Sequence, residues 1–237
     1  MGASSHPAPA GMPDQDVASR PHVESWVVGA FQENCYLVTD PATGAAALVD
    51  PGAEGDRLVA AVRAAERERG VRLAAVWLTH AHVDHVGALK EVTAAYDVPV
   101  HLHPLDRPVF DLAGRAAAVY GLPWEDQPAP NAEFADGQEL ALGDLRFTVL
   151  HTPGHAPGHV VIHGAGVLLA GDLLFQGSIG RTDLPLADPR AMTRSLARVA
   201  ALPPNTAVLP GHGPATAIGR ELRANPFLNG GARPLGG

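Results

Sequence analysis

The chain has 237 residues, with 17 basic and 25 acidic side chains, a formal charge of -8, and 46% hydrophobic residues against 5% aromatic. That length buries a core comfortably. The 26 Gly and 22 Pro scattered between apolar runs argue against a disordered or collagen-like chain, and the acidic balance argues against a nucleic-acid partner.

Residues 1–20, rich in Pro, Ala, Ser and Gly, read as a disordered tail with no signal-peptide core. Residues 21–237 read as a single domain. No run approaches the ~18 apolar residues that span a bilayer, so a soluble, cytoplasmic protein with no membrane partner is expected. After the tail, His22 to Ala30, Asn34 to Thr39 and Ala46 to Asp50 read as a meander of three strands. Asp56 to Arg69 carries Leu58, Val59, Val62 and Ala65 at helical spacing. Leu73 to Thr79 is a continuous apolar run, as in a buried strand. Helix is expected over Gly87 to Tyr96, strand over Val98 to Leu102 and helix over Asp106 to Tyr120, followed by a polar loop from Pro123 to Gly137. Leu145 to His151, Val160 to His163 and Val167 to Ala170 read as strands. Pro189 to Ala201 is a helix with Pro near its start, and Thr206 to Leu209 is a last strand. Strands clustered in both halves with helices between them predict an α/β protein, two sheets with helices outside, in a four-layer αββα sandwich.

A single cysteine, Cys35, excludes an intramolecular disulfide framework and an all-cysteine zinc site. The 12 histidines are the unusual count. His80, His82, Asp84 and His85 pack four potential metal ligands into six residues directly after the Leu73–Thr79 strand. One ion cannot easily use all four, whereas two ions about 3.5–4 Å apart can. Imidazoles with carboxylates suit zinc first, and also iron or manganese. Three further clusters follow strands in the same way: HTPGHAPGH at residues 151–159, Gly171-Asp172, and Gly211-His212. Strand ends converging on one rim are how open α/β sheets place active sites.

These motifs resemble the metallo-β-lactamase superfamily from about Val23 to Leu228. By that resemblance His80, His82 and His155 would hold a first divalent ion, Asp84, His85 and His212 a second, and Asp172 would bridge both. Asp50, in an Asp-Pro-Gly segment, matches an early aspartate that supports the histidine loop from behind the ligands; it is equally readable as an ordinary turn residue. Asp at 172, where a β-lactamase would carry Cys or Ser, and His at 82, where the diiron flavoproteins carry Glu, narrow the resemblance. The glyoxalase II-like (hydroxyacylglutathione hydrolase-like) short bacterial subgroup fits best, on the HTPGHAPGH string and the segment from Gly171 to Pro185.

That subgroup implies hydrolysis of a thioester by a metal-bridging hydroxide, with Asp84 orienting the hydroxide while it binds metal. S-2-hydroxyacylglutathione, or the ester of a related small thiol, is the implied substrate. Arg181 is implied to hold the substrate's peptide-like part, unless it pairs with Asp183 or Asp188. His159 is a candidate either for pocket lining or for supporting the ligands. Only 25 residues follow His212, where full-length glyoxalase II enzymes add a helical glutathione-binding segment. Another thiol, such as mycothiol, is therefore an alternative to glutathione, motivated by this short ending and by the arginine-rich composition with Lys90 as the one lysine. Three rivals stand beside this reading: a mononuclear iron persulfide dioxygenase, a lactonase of the same superfamily and a non-catalytic metal-binding module. The last His of HTPGHAPGH and His212 lean toward hydrolysis.

Overall fold

The structure, a computed structural model, describes residues 20–231. Of the tail read over residues 1–20, only Arg20 lies within the described residues. A first sheet has six strands in the order β1 (His22–Val28), β2 (Glu33–Thr39), β3 (Ala45–Val49), β4 (Arg72–Trp77), β5 (Val100–Leu102) and β6 (Ala132–Glu133). The first three strands pair antiparallel and the remaining pairs are parallel. Parallel neighbours need a crossover. Here α1 (Gly55–Arg69) joins β3 to β4, α2 (Val83–Val86) and α3 (Leu89–Ala95) join β4 to β5, and α4 (Arg107–Tyr120) lies between β5 and β6.

The second sheet runs β7 (Glu139–Leu142), β8 (Leu145–His151), β9 (Val160–Gly164) and β10 (Val167–Gly171). After a separate hairpin of β11 (Leu174–Phe175) and β12 (Ser178–Ile179), it continues through β13 (Ala207–Pro210) and β14 (Thr216–Ala217). Helices α5 (Pro189–Ala200) and α6 (Ile218–Ala224) complete the chain. Asp188 starts α5 by accepting from the amides of Arg190 and Ala191 at 2.8 and 3.1 Å, satisfying donors the helix cannot use itself.

Side chains alternate across a strand, and here both faces are apolar. On β2, Cys35 and Leu37 face the helix layer of Leu58, Val62 and Leu89, while Tyr36 and Val38 face the second sheet. On the second sheet, Val160, Ile162 and Leu169 meet them from the other side. Val161, Leu168 and Ala170 turn outward onto Met192, Leu196 and Val199 of α5. Continuous apolar strands are what a sheet covered on both faces requires, and the αββα sandwich follows.

Two features differ from the sequence reading, and the first concerns the site. The helix expected over Gly87 to Tyr96 is α3, and it is preceded by a further short helix, α2, which begins at Val83 inside the histidine motif. Gly87, between the two helices, packs so closely that a Cβ there would lie 2.5 Å from the Gly52 carbonyl oxygen. Strand β7 has only four residues and is defined by its register against β8. No helix among the described residues is long and apolar enough to cross a membrane.

Direct bonds draw the strand ends of the two sheets onto one rim. The Val160 amide donates to the Thr79 carbonyl at 2.8 Å. The Asn34 amide group donates to the carbonyls of Pro210 and Gly213 at 2.9 and 2.8 Å, and the Tyr36 hydroxyl donates to Pro210 at 2.7 Å.

Candidate metal centre

Four strand-to-loop junctions meet on that rim: the segment after β4, the loop between β8 and β9, the end of β10 and the end of β13. His82 keeps an extended backbone (φ −65°, ψ 152°) immediately before α2, so Asp84 and His85 enter the helix and turn away from it. The result is two neighbouring donor groups. Ring nitrogens of His80, His82 and His155 lie within 4.8 Å of one another, and so do the donor atoms of Asp84, His85 and His212. Asp172 stands between them. Its Oδ2 is 3.4 Å from His155 Nε2 and 3.5 Å from His212 Nε2, and its Oδ1 is 3.5 Å from His85 Nε2.

The surrounding hydrogen bonds fix which nitrogen of each ring faces inward. The Thr79 hydroxyl gives its one proton to Asp50 Oδ2 at 2.6 Å, so it accepts from His80 Nδ1 at 3.1 Å. His85 Nδ1 donates to Asp50 Oδ2 at 3.1 Å. His155 Nδ1 donates to the Arg181 carbonyl at 2.8 Å, and His212 Nδ1 to the Phe31 carbonyl at 3.1 Å. In all four rings the outer nitrogen is a donor and Nε2 turns into the centre, as a lone pair on His80 and His155 and, on His85 and His212, as a position whose proton an entering cation would displace. Outer partners of this kind orient metal-binding imidazoles.

Three inner atoms, His80 Nε2, His85 Nε2 and Asp172 Oδ1, are buried without a hydrogen-bond partner among the described residues. An unsatisfied buried polar atom costs about 1–3 kcal/mol, so several converging on one point mark a place for a ligand. His82 Nδ1 donates to His155 Nε2 at 2.8 Å, since His155 Nδ1 is already the donor to Arg181, and a cation shared by the two nitrogens would take the place of that proton. The backbone has been cut back to make room. A Cβ on Gly211 would lie 2.3 Å from Asp172 Oδ1 and 2.8 Å from His85 Cε1. A Cβ on Gly171, which sits at φ 45°, would lie 2.4 Å from Thr79 Oγ1 and 2.8 Å from His159 Nε2. The donor set of imidazoles and carboxylates fits divalent zinc or iron.

Electrostatics separate the two groups. Burial pushes His80 well below the ordinary imidazole range, lowers His82 to about 3 and lowers His155. His85 is equally buried, but Asp172 and Asp84 outweigh that and hold it well above its usual value. His212 is raised because its bond to Asp84 outweighs its own burial. Burial alone would raise Asp84; His85 and His212 hold it below the ordinary carboxylate value.

Asp50, readable in the sequence either as a support for the histidine loop or as a turn residue, lies behind the donor groups. Its carboxylate takes the Thr79 amide at 2.7 Å as well as the Thr79 hydroxyl and His85, tying both donor groups together from behind. Reading His159 as substrate-binding needs correction. It is fully buried, its Nε2 accepts from the Asp172 amide at 3.1 Å and its Nδ1 meets Thr152 Oγ1 at 3.0 Å. It therefore positions Asp172 and cannot touch a substrate. Arg181 lines the cavity above the centre, but its guanidinium is already held by two 2.9 Å bonds to Asp183.

Two residues escaped the sequence reading. Buried Asp106 accepts from the Ala81 amide at 2.6 Å and the Gly158 amide at 2.7 Å, pinning the two histidine loops to each other. Burial raises it to about 6 against those two bonds. In the sequence it marks only a helix start. Glu33 is buried under His85, 4.0 Å from Nδ1, with neither carboxylate oxygen hydrogen-bonded among the described residues. Burial pushes it well above the carboxylate range. A turn position gave no signal for it. His101 stacks on Phe134 and His103 on His151 at 4.3 Å, away from the donor groups.

Residues 28–212 match the sequence model of the metallo-beta-lactamase superfamily. The chain is 39% identical over 214 residues to the hydroxyacylglutathione hydrolase GloC of Haemophilus influenzae, covering 88% of this chain and 98% of that one. Among solved structures it is similar to TTHA1623 in a di-iron-bound form, at 45% identity and TM-score 0.79, covering 86% of this chain and all of the other. It is also similar to the BLEG-1 B3 metallo-beta-lactamase, at 35% identity and TM-score 0.79, covering 87% and 99%.

Proposed function

The chain belongs to the metallo-β-lactamase superfamily, and from that premise we propose that it hydrolyses thioesters of a small thiol at a dinuclear centre. Asp172, standing between the His80–His82–His155 and Asp84–His85–His212 groups, is the observation that carries the reading. When bound, two divalent ions would lower the pKa of water from 15.7 toward about 7 and polarise a carbonyl. The GloC relative supports a thioester, because its name specifies a hydroxyacylglutathione hydrolase. TTHA1623 is di-iron-bound, and imidazole with carboxylate suits iron as well as zinc.

The protein's own residues do the rest. His80, His82 and His155 would hold one ion and Asp84, His85 and His212 the other, with Asp172 shared. Asp84 stays ionised at neutral pH, since His85 and His212 hold it low. It therefore accepts a hydrogen bond and orients water without being consumed as an acid. Asp50, Thr79 and the carbonyls of Arg181 and Phe31 keep the rings turned inward. Hydrolysis adds water across the acyl–sulfur bond and yields a carboxylate, a thiol and a proton. A thiol pKa near 8.5 makes the thiolate a good leaving group without a dedicated acid.

The test is turnover by metal-loaded protein on S-lactoylglutathione and a simple acyl thioester, with a glutathione persulfide and a β-lactam alongside. Thioester cleavage supports the reading. Oxygen consumption on the persulfide with one iron per chain, or cleavage of the β-lactam alone, overturns it.

A further inference from the structure

The floor of the cavity above the donor groups is polar, with His82, Asp84, His155, Asp172 and His212, and its walls are almost entirely hydrocarbon. The cavity measures about 590 Å³, within the range of small-molecule sites. One wall is a face of α4, where Val109, Leu112, Ala113, Ala116 and Val119 recur at helical spacing. Leu184, Pro185 and Leu186 form the opposite wall. Phe31 and Phe175 stand at the sides, Phe31 edge-on to Tyr120 at 5.1 Å.

Large apolar side chains left in solvent are concentrated here. Seven are exposed among the described residues, and five of those, Phe31, Leu112, Val119, Tyr120 and Leu186, line this cavity. Scattered exposed hydrophobics need no explanation, but a contiguous patch marks a binding site. Val119 is 82% exposed and Leu186 54%. Leu186 is moreover held at φ 67°, a conformation that costs a bulky residue energy and that persists at ligand sites.

The charges in the cavity argue the same way. Besides histidine, Arg115 and Arg181 are the cationic residues lining it. Arg181 is neutralised by its two bonds to Asp183. Arg115 forms no ion pair or side-chain hydrogen bond among the described residues, and it lies exposed on α4 one turn before Val119. A glutathione moiety brings two carboxylates and an ammonium, and it would meet hydrocarbon and one free cation.

Resting on the hydrolase reading, we infer that the substrate is a thioester with a hydrocarbon acyl chain of medium length, lying along α4 with its carbonyl over the donor groups. Soluble thiols that carry acyl groups owe their solubility to polar groups beyond the sulfur. The hydrocarbon therefore belongs to the acyl side, and a single anionic group of the thiol reaches Arg115.

The test uses the metal-loaded full chain with acetyl, butanoyl, hexanoyl and octanoyl thioesters of N-acetylcysteamine, and S-lactoylglutathione beside them. Each methylene should raise kcat/KM roughly fourfold until the wall is filled, chiefly through KM. L112E, and independently V119Q at the more exposed position, should lower the octanoyl-to-acetyl ratio at least about tenfold. A second readout needs no turnover: calorimetry should show S-octyl-N-acetylcysteamine, an uncleavable thioether, binding at least about tenfold tighter than its S-methyl analogue.

A flat chain-length profile with S-lactoylglutathione preferred would overturn the inference while leaving thioester hydrolysis intact. Thioether binding with no thioester cleaved would keep the apolar pocket and remove the hydrolase reading. A dimer that V119Q returns to monomer, with no thioether bound, would overturn the inference and make this face a contact between copies.

Discussion

The two donor groups share Asp172 and a few ångströms of space, yet they meet protons in opposite ways. His80, His82 and His155 form a group without a carboxylate of its own, and burial keeps its rings neutral, His82 down to about 3. Asp84, His85 and His212 form a group in which carboxylates hold both rings above their usual range. The first group is preorganised to take a cation at neutral pH with no net proton to release. The second must give up protons as the cation enters. A single motif, from His80 to His85, thus feeds two sites of different character.

Replacing the shared ligand should have the largest effect. Asp172→Ala should abolish activity and weaken both sites, by more than the 10–100-fold typical of an outer partner. Metal content after dialysis checks this, and full retention at either site would break the symmetry assigned to Asp172. Substitutions confined to one group come next. His212→Ala should leave about one metal per chain, and His82→Ala should leave the complementary one, each with activity down on the order of a hundredfold or more. Metal spectroscopy on the two variants should therefore give different ligand environments.

Acid should distinguish the groups more gently. Rings whose metal-free pKa is raised regain protons first, so affinity at the Asp84–His85–His212 group should fall as pH drops from about 7 to about 5. The His80–His82–His155 group, with its lowered values, should hold on through the same interval. Metal titrations at several pH values, with proton release measured, would show this as one pH-dependent site and one nearly flat site. The smallest effect belongs to Asp106→Asn. An amide can accept from only one of the two amides that Asp106 now satisfies. Thermal unfolding should show a loss of about 1–3 kcal/mol, and affinity at the His80–His82–His155 group should fall about 10–100-fold.

The sequence was most informative where function had compressed ligands into short motifs. His80, His82, Asp84, His85, His155, Asp172 and His212 could be singled out because they match the superfamily's motifs just past strand ends, and the structure groups their donor atoms, with small residues such as Gly171 and Gly211 leaving them room. The sandwich was legible because strands such as β2 and β9 are apolar on both faces. What stayed hidden is set by contacts distant in sequence. Asp106 acts through amides 25 and 52 residues away. Glu33 matters only because it is folded beneath His85. His159 lies in the same HTPGHAPGH string as His155, but periodicity could not show that its ring turns inward behind Asp172. Strands of two residues, such as β6 and β14, exist through their partners and carry no pattern of their own.

Anomalous diffraction from crystals of the metal-loaded protein bears most directly on the central claim of two cation sites sharing one carboxylate. Two peaks should flank Asp172, one against His80, His82 and His155 and the other against Asp84, His85 and His212. A single peak in fully loaded protein, with the second group empty, would contradict the account.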